Sequence, residues 1–316
     1  MLKPMLLKAP LKDYLWGGSR LKNEYGKESD MDIVAESWEL SCHEAGLSVV
    51  DSGEAKGRTL ADVLSGAGKA MLGTKAQAMD YFPLLIKFID AKGELSVQVH
   101  PNDDYARVHE QGKLGKTEAW LILDAPQGSQ LVYGIREGVT LEELRAACEE
   151  GSAVEKLIRF VDVHPGDVCM IPSGCVHAIG AGIMLYEIQQ SSDITYRFYD
   201  WDRVDKYGKR RELHLEKALD VTDLSIQRSP IPAPDEPCAR VLDETYFTLD
   251  LMHVSEPVQV PSICEFGILT ALDAGLTLCW ESGRVQMKKG ETFFVPQSAP
   301  ALKLEGQGRA ALAMPR

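Results

Sequence analysis

Several features that mark other protein classes are missing from this 316-residue sequence. The seven cysteines are scattered, odd in number and form no CxxC pair, so we expect the reduced thiols of a cytoplasmic protein. There is no basic run and the net charge is −13, which argues against nucleic acid as a partner. No apolar run is long enough for a membrane span or a signal peptide, so we expect no membrane partner either.

What the sequence does contain is a series of short apolar or alternating runs broken by glycine, proline and asparagine. The segment 163–203 is especially dense in such runs, a pattern typical of an antiparallel barrel or sandwich. A mainly β fold is therefore predicted. The other predicted strands are residues 35–43, 82–91, 94–100 and 116–125.

Two segments have helical rather than strand character. Residues 57–80 include Thr59 followed three residues later by an aspartate, and residues 139–160 contain a capping box from Thr140 to Glu143. A small helical portion is therefore predicted within the β fold.

One pattern occurs twice, as "PGDVCMIPSGCVHAI" and as "KGETFFVPQSAPALKL". In the first copy Gly166 precedes His177 by 11 residues, and in the second Gly290 precedes Ala301 by the same spacing. A chance match of common turn residues is the alternative, but the shared spacing favours duplication. We therefore predict two related β-barrels, with the chemistry in the copy that has the histidine.

A row of polar side chains interrupts the core pattern in "SVQVHPND". Ser96, Gln98 and His100 alternate with two valines, so the three polar side chains share one face of a strand. With Glu118 on a nearby strand and His177 after a turn, Gln98 and His100 could form a nitrogen and oxygen site for Zn²⁺, Mn²⁺ or Fe²⁺. The alternative is that each histidine is a hydrogen-bonded core residue.

Five charged residues lie near this group in the sequence. Lys87 either lies at a sheet edge and reaches water or faces a cavity and pairs with an anion. Arg197 either recognises an anion or forms a salt bridge to a nearby carboxylate. Glu187 and Asp193 are acid/base candidates or solvated charges at strand ends, and Lys116 shares a strand face with the predicted ligand Glu118.

Several longer motifs carry a family resemblance. "LSVQVHPND", "GKTEAW", "PSGCVHAI" and "EIQQSSDITYRFYDWDR" together resemble the short bacterial form of the type I mannose-6-phosphate isomerases. "WGGSRL" and "AESWELS" are also similar to that family, and the resemblance extends from about residue 10 to the C-terminus. It implies a mainly β fold of two cupin-type (jelly-roll) barrels. Residues 1–229 would be the catalytic barrel with helical insertions near 57–80 and 139–160, and residues 230–316 a second, metal-less barrel.

The resemblance also implies an activity, a cofactor and roles for individual residues. The expected reaction interconverts mannose 6-phosphate and fructose 6-phosphate through a cis-enediolate, with one Zn²⁺ per chain. A small sugar phosphate is the expected partner, and the chain would be a monomer or a homodimer. By this resemblance the metal ligands are Gln98, His100, Glu118 and His177, the substrate contacts are Ser96 and Lys87, and the catalytic residues are Arg197, Lys116, Glu187 and Asp193.

Two other functions compete with this interpretation. An iron-dependent cupin oxygenase could use two histidines and a carboxylate, but it would not need the nearby lysines and arginine. A non-catalytic protein that binds sugar phosphates could keep the fold, but it would not need the full set of carboxylates and cations. Metal analysis separates the first from the isomerase, and turnover separates the second.

Overall fold

A computed structural model describes residues 3–204 and 207–316. Most of the regular structure in these residues is β-strand, as the sequence predicts. In chain order the strands are β1 (Met5–Lys8), β2 (Leu11–Lys12), β3 (Glu36–Leu40), β4 (Cys42–His43), β5 (Gly46–Leu47), β6 (Val49–Val50), β7 (Leu84–Asp90), β8 (Val97–Val99), β9 (Glu118–Asp124), β10 (Gln130–Ile135), β11 (Ile158–Asp162), β12 (Asp167–Ile171), β13 (His177–Ile179), β14 (Met184–Gln190), β15 (Tyr196–Tyr199), β16 (Ile231–Pro232), β17 (Cys238–Asp243), β18 (Phe247–Val254), β19 (Val258–Gln259), β20 (Gly267–Ala271), β21 (Leu276–Trp280), β22 (Gly283–Met287), β23 (Thr292–Val295), β24 (Leu302–Gly306) and β25 (Gly308–Pro315).

The helices are short. The helical segment predicted over 57–80 is divided into pieces, because Gly66 and Gly73 adopt positive φ angles of 54° and 83° that a helix cannot continue. The capping box of Thr140 and Glu143 is confirmed. The α-helices are α1 (Arg20–Asn23), α2 (Leu60–Val63), α3 (Thr74–Gln77), α4 (Asp103–His109), α5 (Leu141–Glu149) and α6 (Leu215–Val221), and the 3₁₀ turns are Gly53–Ala55, Gly66–Met71 and Gly151–Lys156.

Four antiparallel sheets contain nearly all the strands. Sheet I has the order β16-β12-β9-β14-β7-β3-β2, and sheet II has the order β11-β10-β13-β8-β15. Sheet III has the order β17-β18-β25-β20-β23-β1-β6, and sheet IV has the order β19-β24-β21-β22. Strands β4 and β5 form a separate two-stranded ribbon.

The sheets stack in layers, and each pair of layers shares a core. Trp120 and Ile122 of sheet I meet Leu131 and Tyr133 of sheet II in one cluster. The opposite face of sheet I packs against sheet III in a second cluster, and sheets III and IV enclose a third. The outer face of sheet II is covered by α4, α5 and α6. Sheet I is therefore buried on both faces, and most residues of its central strands are apolar.

The prediction of a mainly β, cupin-type fold is confirmed, but the word barrel needs correction. In the described residues each sheet is an open series of strands whose ends do not pair with the facing sheet. The two units are therefore sandwiches of packed sheets, a form that jelly rolls adopt when the two sheets do not close on one another.

The two halves of the chain exchange strands near the ends of their sheets. Strand β1, near the N-terminus, pairs with β23 of sheet III through Met5 opposite Phe294. In the reciprocal direction β16, which lies in the proline-rich segment 230–237, pairs with β12 of sheet I. The division at residue 229 stays a prediction, and strands from both sides of it cross into the other half.

Two further predictions concern the whole chain. No helix among residues 3–204 and 207–316 is long and apolar enough to cross a membrane. All seven cysteines are free thiols. A cytoplasmic location stays a prediction.

Candidate active site

The alternation of strand residues directs one set of polar side chains into the space between sheets I and II. In β8 the two valines pack into the helix-covered cluster, whereas Gln98 points the other way, toward sheet I. In sheet I the same alternation turns Lys87, Glu118 and Glu187 away from the core shared with sheet III. The row of polar residues predicted from the sequence therefore lines the site, and the valines fill the core.

Three of the predicted metal ligands lie together at the buried end of this space. One ligand atom each from His100, Glu118 and His177 falls within 4.8 Å of the others. The Nε2 of His100 lies 3.6 Å from Glu118 Oε2, and the Nε2 of His177 lies 3.4 Å from Glu118 Oε1. All three side chains are at least 99% buried.

Both histidines have the hydrogen bonding typical of metal ligands. The Nδ1 of His100 lies 2.8 Å from the carbonyl oxygen of Ile194, and the Nδ1 of His177 lies 2.9 Å from that of Cys175. Since a carbonyl oxygen can only accept, each Nδ1 carries the proton and each Nε2 has a free lone pair. Burial lowers the pKa of both rings, that of His100 to about 3, so both are neutral.

Gln98 adds a fourth potential ligand. Its amide nitrogen lies 3.2 Å from the Nε2 of His177, and its amide oxygen accepts a hydrogen bond of 3.3 Å from the hydroxyl of Ser96. The predicted substrate residue Ser96 is thus in direct contact with a predicted ligand. The structure brings the four predicted ligands together from β8, the residue that follows it, β9 and β13.

Lys116 neutralises the carboxylate at the centre of this cluster. Its Nζ lies 2.7 Å from Glu118 Oε2, and both side chains are almost fully buried. Burial alone would raise the pKa of Glu118, but Lys116 and the two histidines outweigh burial and hold this pKa well below its usual range. Glu118 is therefore anionic, which suits a potential metal ligand.

Lys87 does not lie at a sheet edge, and its charge is already paired with carboxylates of the protein. Its Nζ lies 2.9 Å from Glu187 Oε1 and 3.8 Å from Glu36 Oε2. Burial would lower the pKa of Lys87, but the two carboxylates raise it, so this lysine is charged. The indole N–H groups of Trp120 and Trp38 donate to Glu187 and Glu36. Burial and the charge of Glu118 raise the pKa of Glu187.

Arg197 forms no ion pair with a carboxylate in the described part of the chain. Its Nε is buried without a hydrogen-bond partner, and its backbone pairs with Gln98 of β8. The neighbouring carboxylate Asp200 is instead bound by Arg203 and Arg211. The salt bridge considered for Arg197 from the sequence is therefore not formed, which leaves its charge available to an anion.

Asp193 lies at the outer edge of the site. Its side chain is 39% exposed, and it lies 3.4 Å from Lys113 and 3.7 Å from His43. It lines the same cavity as Lys87 and Glu187, but it does not share their burial.

A cavity of about 140 Å³ opens beside the cluster of potential ligands. Seven of the ten predicted site residues line it, all except His100, Glu118 and His177, and it adds residues that sequence reasoning missed. One feature of the sequence could have indicated such residues. A charged lysine inside an apolar strand, such as Lys87, requires buried partners of opposite charge. The missed lining residues include Tyr14, Trp16, Glu36, Trp38, Thr195 and Arg211.

These residues suit a divalent cation of borderline character. The Nε2 of His100 and the Oε1 of Glu118 are buried without any hydrogen-bond partner, which is costly unless another group uses them. Two imidazoles, a carboxylate and an amide form a mixed nitrogen and oxygen donor set, without thiolate, of the kind that zinc accepts. The residues present therefore fit a metal ion, and the adjacent cavity is polar enough to hold a charged substrate.

Comparison with known proteins agrees with this arrangement. A family model described as phosphomannose isomerase type I, catalytic domain, matches residues 5–128, and one described as mannose-6-phosphate isomerase, cupin domain, matches residues 239–315. The mannose-6-phosphate isomerase ManA of Bacillus subtilis is 37% identical over 96% of both chains. The mannose-6-phosphate isomerase of Streptococcus mutans is 34% identical over 97% of this chain and 96% of its own.

A solved structure gives the same result for the fold. The mannose 6-phosphate isomerase from Bacillus subtilis superimposes with a TM-score of 0.87 and 29% identity, and the match covers 99% of each chain. The resemblance stated from sequence motifs is confirmed by these matches, which extend through both sandwiches. The chain belongs to the type I phosphomannose isomerase family.

Proposed function

We propose that this protein interconverts D-mannose 6-phosphate and D-fructose 6-phosphate and that one Zn²⁺ binds to Gln98, His100, Glu118 and His177. The relatives are named for this reaction and are similar over almost the whole chain. The observation that carries the proposal is the buried cluster of two neutral imidazoles and one carboxylate, in which His100 Nε2 and Glu118 Oε1 lack hydrogen-bond partners.

The reaction moves a proton between C1 and C2 of the open-chain sugar through a cis-enediolate. Zinc bound at this site would supply Lewis acidity that polarises the substrate oxygens. Arg197 faces the cavity with no carboxylate partner among the described residues, so it is free to stabilise the negative charge that develops on the substrate.

Glu187 is the best placed of the three candidates for the general base. It lines the cavity, and Trp120 and Lys87 fix its carboxylate from two sides. Lys116 is already paired with Glu118, and Asp193 is at the exposed rim. A base must lie within hydrogen-bond reach of the proton that it removes, which favours a group fixed inside the cavity. We therefore assign proton transfer to Glu187 and charge balance to Lys116.

Three expectations stay predictions. Ser96 and Lys87 are expected to contact substrate, the chain is expected to be a monomer or a homodimer, and its location is expected to be cytoplasmic.

The test is a coupled assay of purified protein with mannose 6-phosphate, before and after chelation. We expect fructose 6-phosphate to form, to stop forming after chelation, and to form again when Zn²⁺ is restored. Metal analysis of the untreated protein should give close to one zinc per chain. Absence of product from fully zinc-loaded protein would contradict the isomerase proposal, and stoichiometric iron would favour the oxygenase.

A further inference from the structure

The cavity beside the metal cluster is charged differently at its two ends. At one end Lys87 faces two carboxylates, Glu187 and Glu36, so this group carries more negative than positive charge. At the buried centre Lys116 is balanced by Glu118. Neither lysine therefore offers uncompensated positive charge to a dianion.

The other end has an excess of positive charge. Arg197 and Arg211 both line the cavity, and Arg197 has no carboxylate partner in the residues that the structure describes. Arg203 lies beside Arg211, since both bind Asp200, which is 6% exposed and is the only carboxylate that these three arginines bind within residues 3–204 and 207–316. Arg203 and Arg211 thus share one buried carboxylate, and Arg197 adds a third guanidinium group that pairs with no carboxylate in the described residues.

Asp200 fixes the orientation of Arg211. The Nε of Arg211 donates to Asp200 Oδ2 at 2.7 Å, and its Nη2 donates to Asp200 Oδ1. Its remaining amino group, Nη1, makes no hydrogen bond to the described residues. The guanidinium is therefore held as a rigid plane with one donor edge unused, the form in which arginine recognises phosphate oxygens.

We infer that Arg211, held by Asp200, binds the phosphate group of the substrate together with Arg197 and so determines the preference for a phosphorylated sugar. This inference rests on the proposed function and deepens it, because it assigns the phosphate to the arginine end of the cavity rather than to Lys87. Arg211 is also close enough to repel Arg197 electrostatically, since burial and the charge of Arg211 together lower the pKa of Arg197. A bound dianion would relieve that repulsion between the two guanidinium groups.

The test compares Arg211→Gln with Arg210→Gln. Arg210 is the adjacent residue, is 69% exposed and pairs with Asp202, and it does not line the cavity. We expect Arg211→Gln to raise the KM for mannose 6-phosphate about 10- to 100-fold with kcat changed by less than about threefold, as for a lost charge-assisted contact. Arg210→Gln should match the wild type in both constants.

A binding measurement separates this inference from the proposed reaction. Calorimetry of the zinc-loaded protein with inorganic phosphate and with fructose 6-phosphate requires no turnover. Both ligands should bind at least tenfold more weakly to Arg211→Gln than to the wild type or to Arg210→Gln. Asp200→Asn, which keeps Arg211 but releases it, should weaken binding to an intermediate degree, as a positioning residue would.

Two results would overturn the inference. One is unchanged phosphate binding in a folded Arg211→Gln variant. The other is loss of phosphate binding in Lys87→Gln with no loss in Arg211→Gln, which would place the phosphate at the opposite end of the cavity. If the wild type binds phosphate through Arg211 but forms no fructose 6-phosphate, the proposed reaction fails while the assignment of the anion site stands.

Discussion

The sandwich of sheets I and II and the sandwich of sheets III and IV follow one strand order. Strands β12, β9, β14, β7 and β3 run across sheet I as β23, β20, β25, β18 and β17 run across sheet III. Strands β11, β10, β13 and β8 of sheet II correspond in the same way to β22, β21, β24 and β19 of sheet IV. This agreement supports the duplication that the repeated glycine and proline pattern predicted.

The pairing register shows what the second sandwich lacks. Ile171 and Val295, each five residues beyond the glycine of its repeat, lie opposite Glu118 and Gly267. The position of Glu118 is therefore a glycine in the second copy. Similarly, the position of His177 is Ala301, which precedes β24 as the histidine begins β13.

In the second sandwich, apolar side chains fill the space that corresponds to the site of the first. A Cβ atom on Gly267 would lie 2.9 Å from Ile263 Cδ1 and 3.0 Å from Leu312 Cδ1. By the same register, Leu312 occupies the position of Glu187. Apolar packing thus replaces the polar face in the second copy. The second sandwich keeps the same strand order without the polar residues of the first. The fold therefore does not require the site, and the two copies differ in the residue types on one inner face.

The largest effect is expected when the first sandwich is made to resemble the second. Glu118→Gln removes the anionic ligand with little change of shape, so we expect metal affinity and isomerase activity each to fall by more than about 100-fold, since loss of supporting groups alone costs 10- to 100-fold. Metal analysis after dialysis and the coupled assay would measure both.

The control for this variant is the same change at an equally buried glutamate outside the site. Glu39 is 1% exposed and pairs with Lys27, so Glu39→Gln should lower stability but leave the metal content unchanged. Retained zinc in Glu118→Gln would contradict its assignment as a ligand.

A smaller effect is expected when the second sandwich is made to resemble the first. Gly267→Glu would place an unpaired carboxylate against Ile263 and Leu312, so we expect the free energy of unfolding to fall by about 3 kcal/mol or more. Urea denaturation would measure this loss. Ala301→His, at the exposed counterpart of His177, should change stability by less than about 0.5 kcal/mol. Equal effects of the two substitutions would argue against closure of the second inner face.

The smallest effect concerns a charge pair that has only a structural role. Asp273 accepts hydrogen bonds from the Arg309 side chain at 2.8 and 3.1 Å, and each side chain is about one third exposed. Because solvent screens such a pair, Asp273→Asn should lower the free energy of unfolding by about 0.5–1 kcal/mol at pH 7 and should leave zinc content and activity unchanged.

This small effect should depend on pH with a defined sign. Burial alone would raise the pKa of Asp273, but the hydrogen bonds and charge of Arg309 lower it from 3.8. The stabilisation is therefore present above about pH 4 and is lost as pH falls through the lower pKa of the folded protein. Urea denaturation at pH 7 and pH 3 should show a smaller difference between wild type and variant at pH 3.

Much of the site could be predicted because its residues lie on strands with regular alternation. Residues two apart must share a face, so Gln98 and His100 point together once their strand is recognised. The capping box at Thr140 is likewise local, because its two hydrogen bonds lie within four residues. The helical segment predicted over 57–80 is interrupted at Gly66 and Gly73, because their positive φ angles do not continue a helix.

Contacts between distant segments could not be predicted in this way. Glu36 meets Lys87 because β3 and β7 are neighbours in sheet I, and nothing within either strand reveals that pairing. Arg211 reaches the cavity because Asp200 holds it, although both lie in a segment with several other charges. The exchange of β1 and β16 between the two halves has no local signal either.

The sequence by itself determined the β character of this protein, the polar face of β8 and the residue types of a metal site, because these follow from local periodicity and side-chain chemistry. Only the tertiary structure decided which charges compensate one another. It gave Lys87 two carboxylates and left Arg197 with none among the described residues, because charge balance depends on which strands become neighbours. The end of the cavity that keeps an excess of positive charge is therefore decided by tertiary contacts, which include the contact of Arg211 with Asp200 outside the sheets.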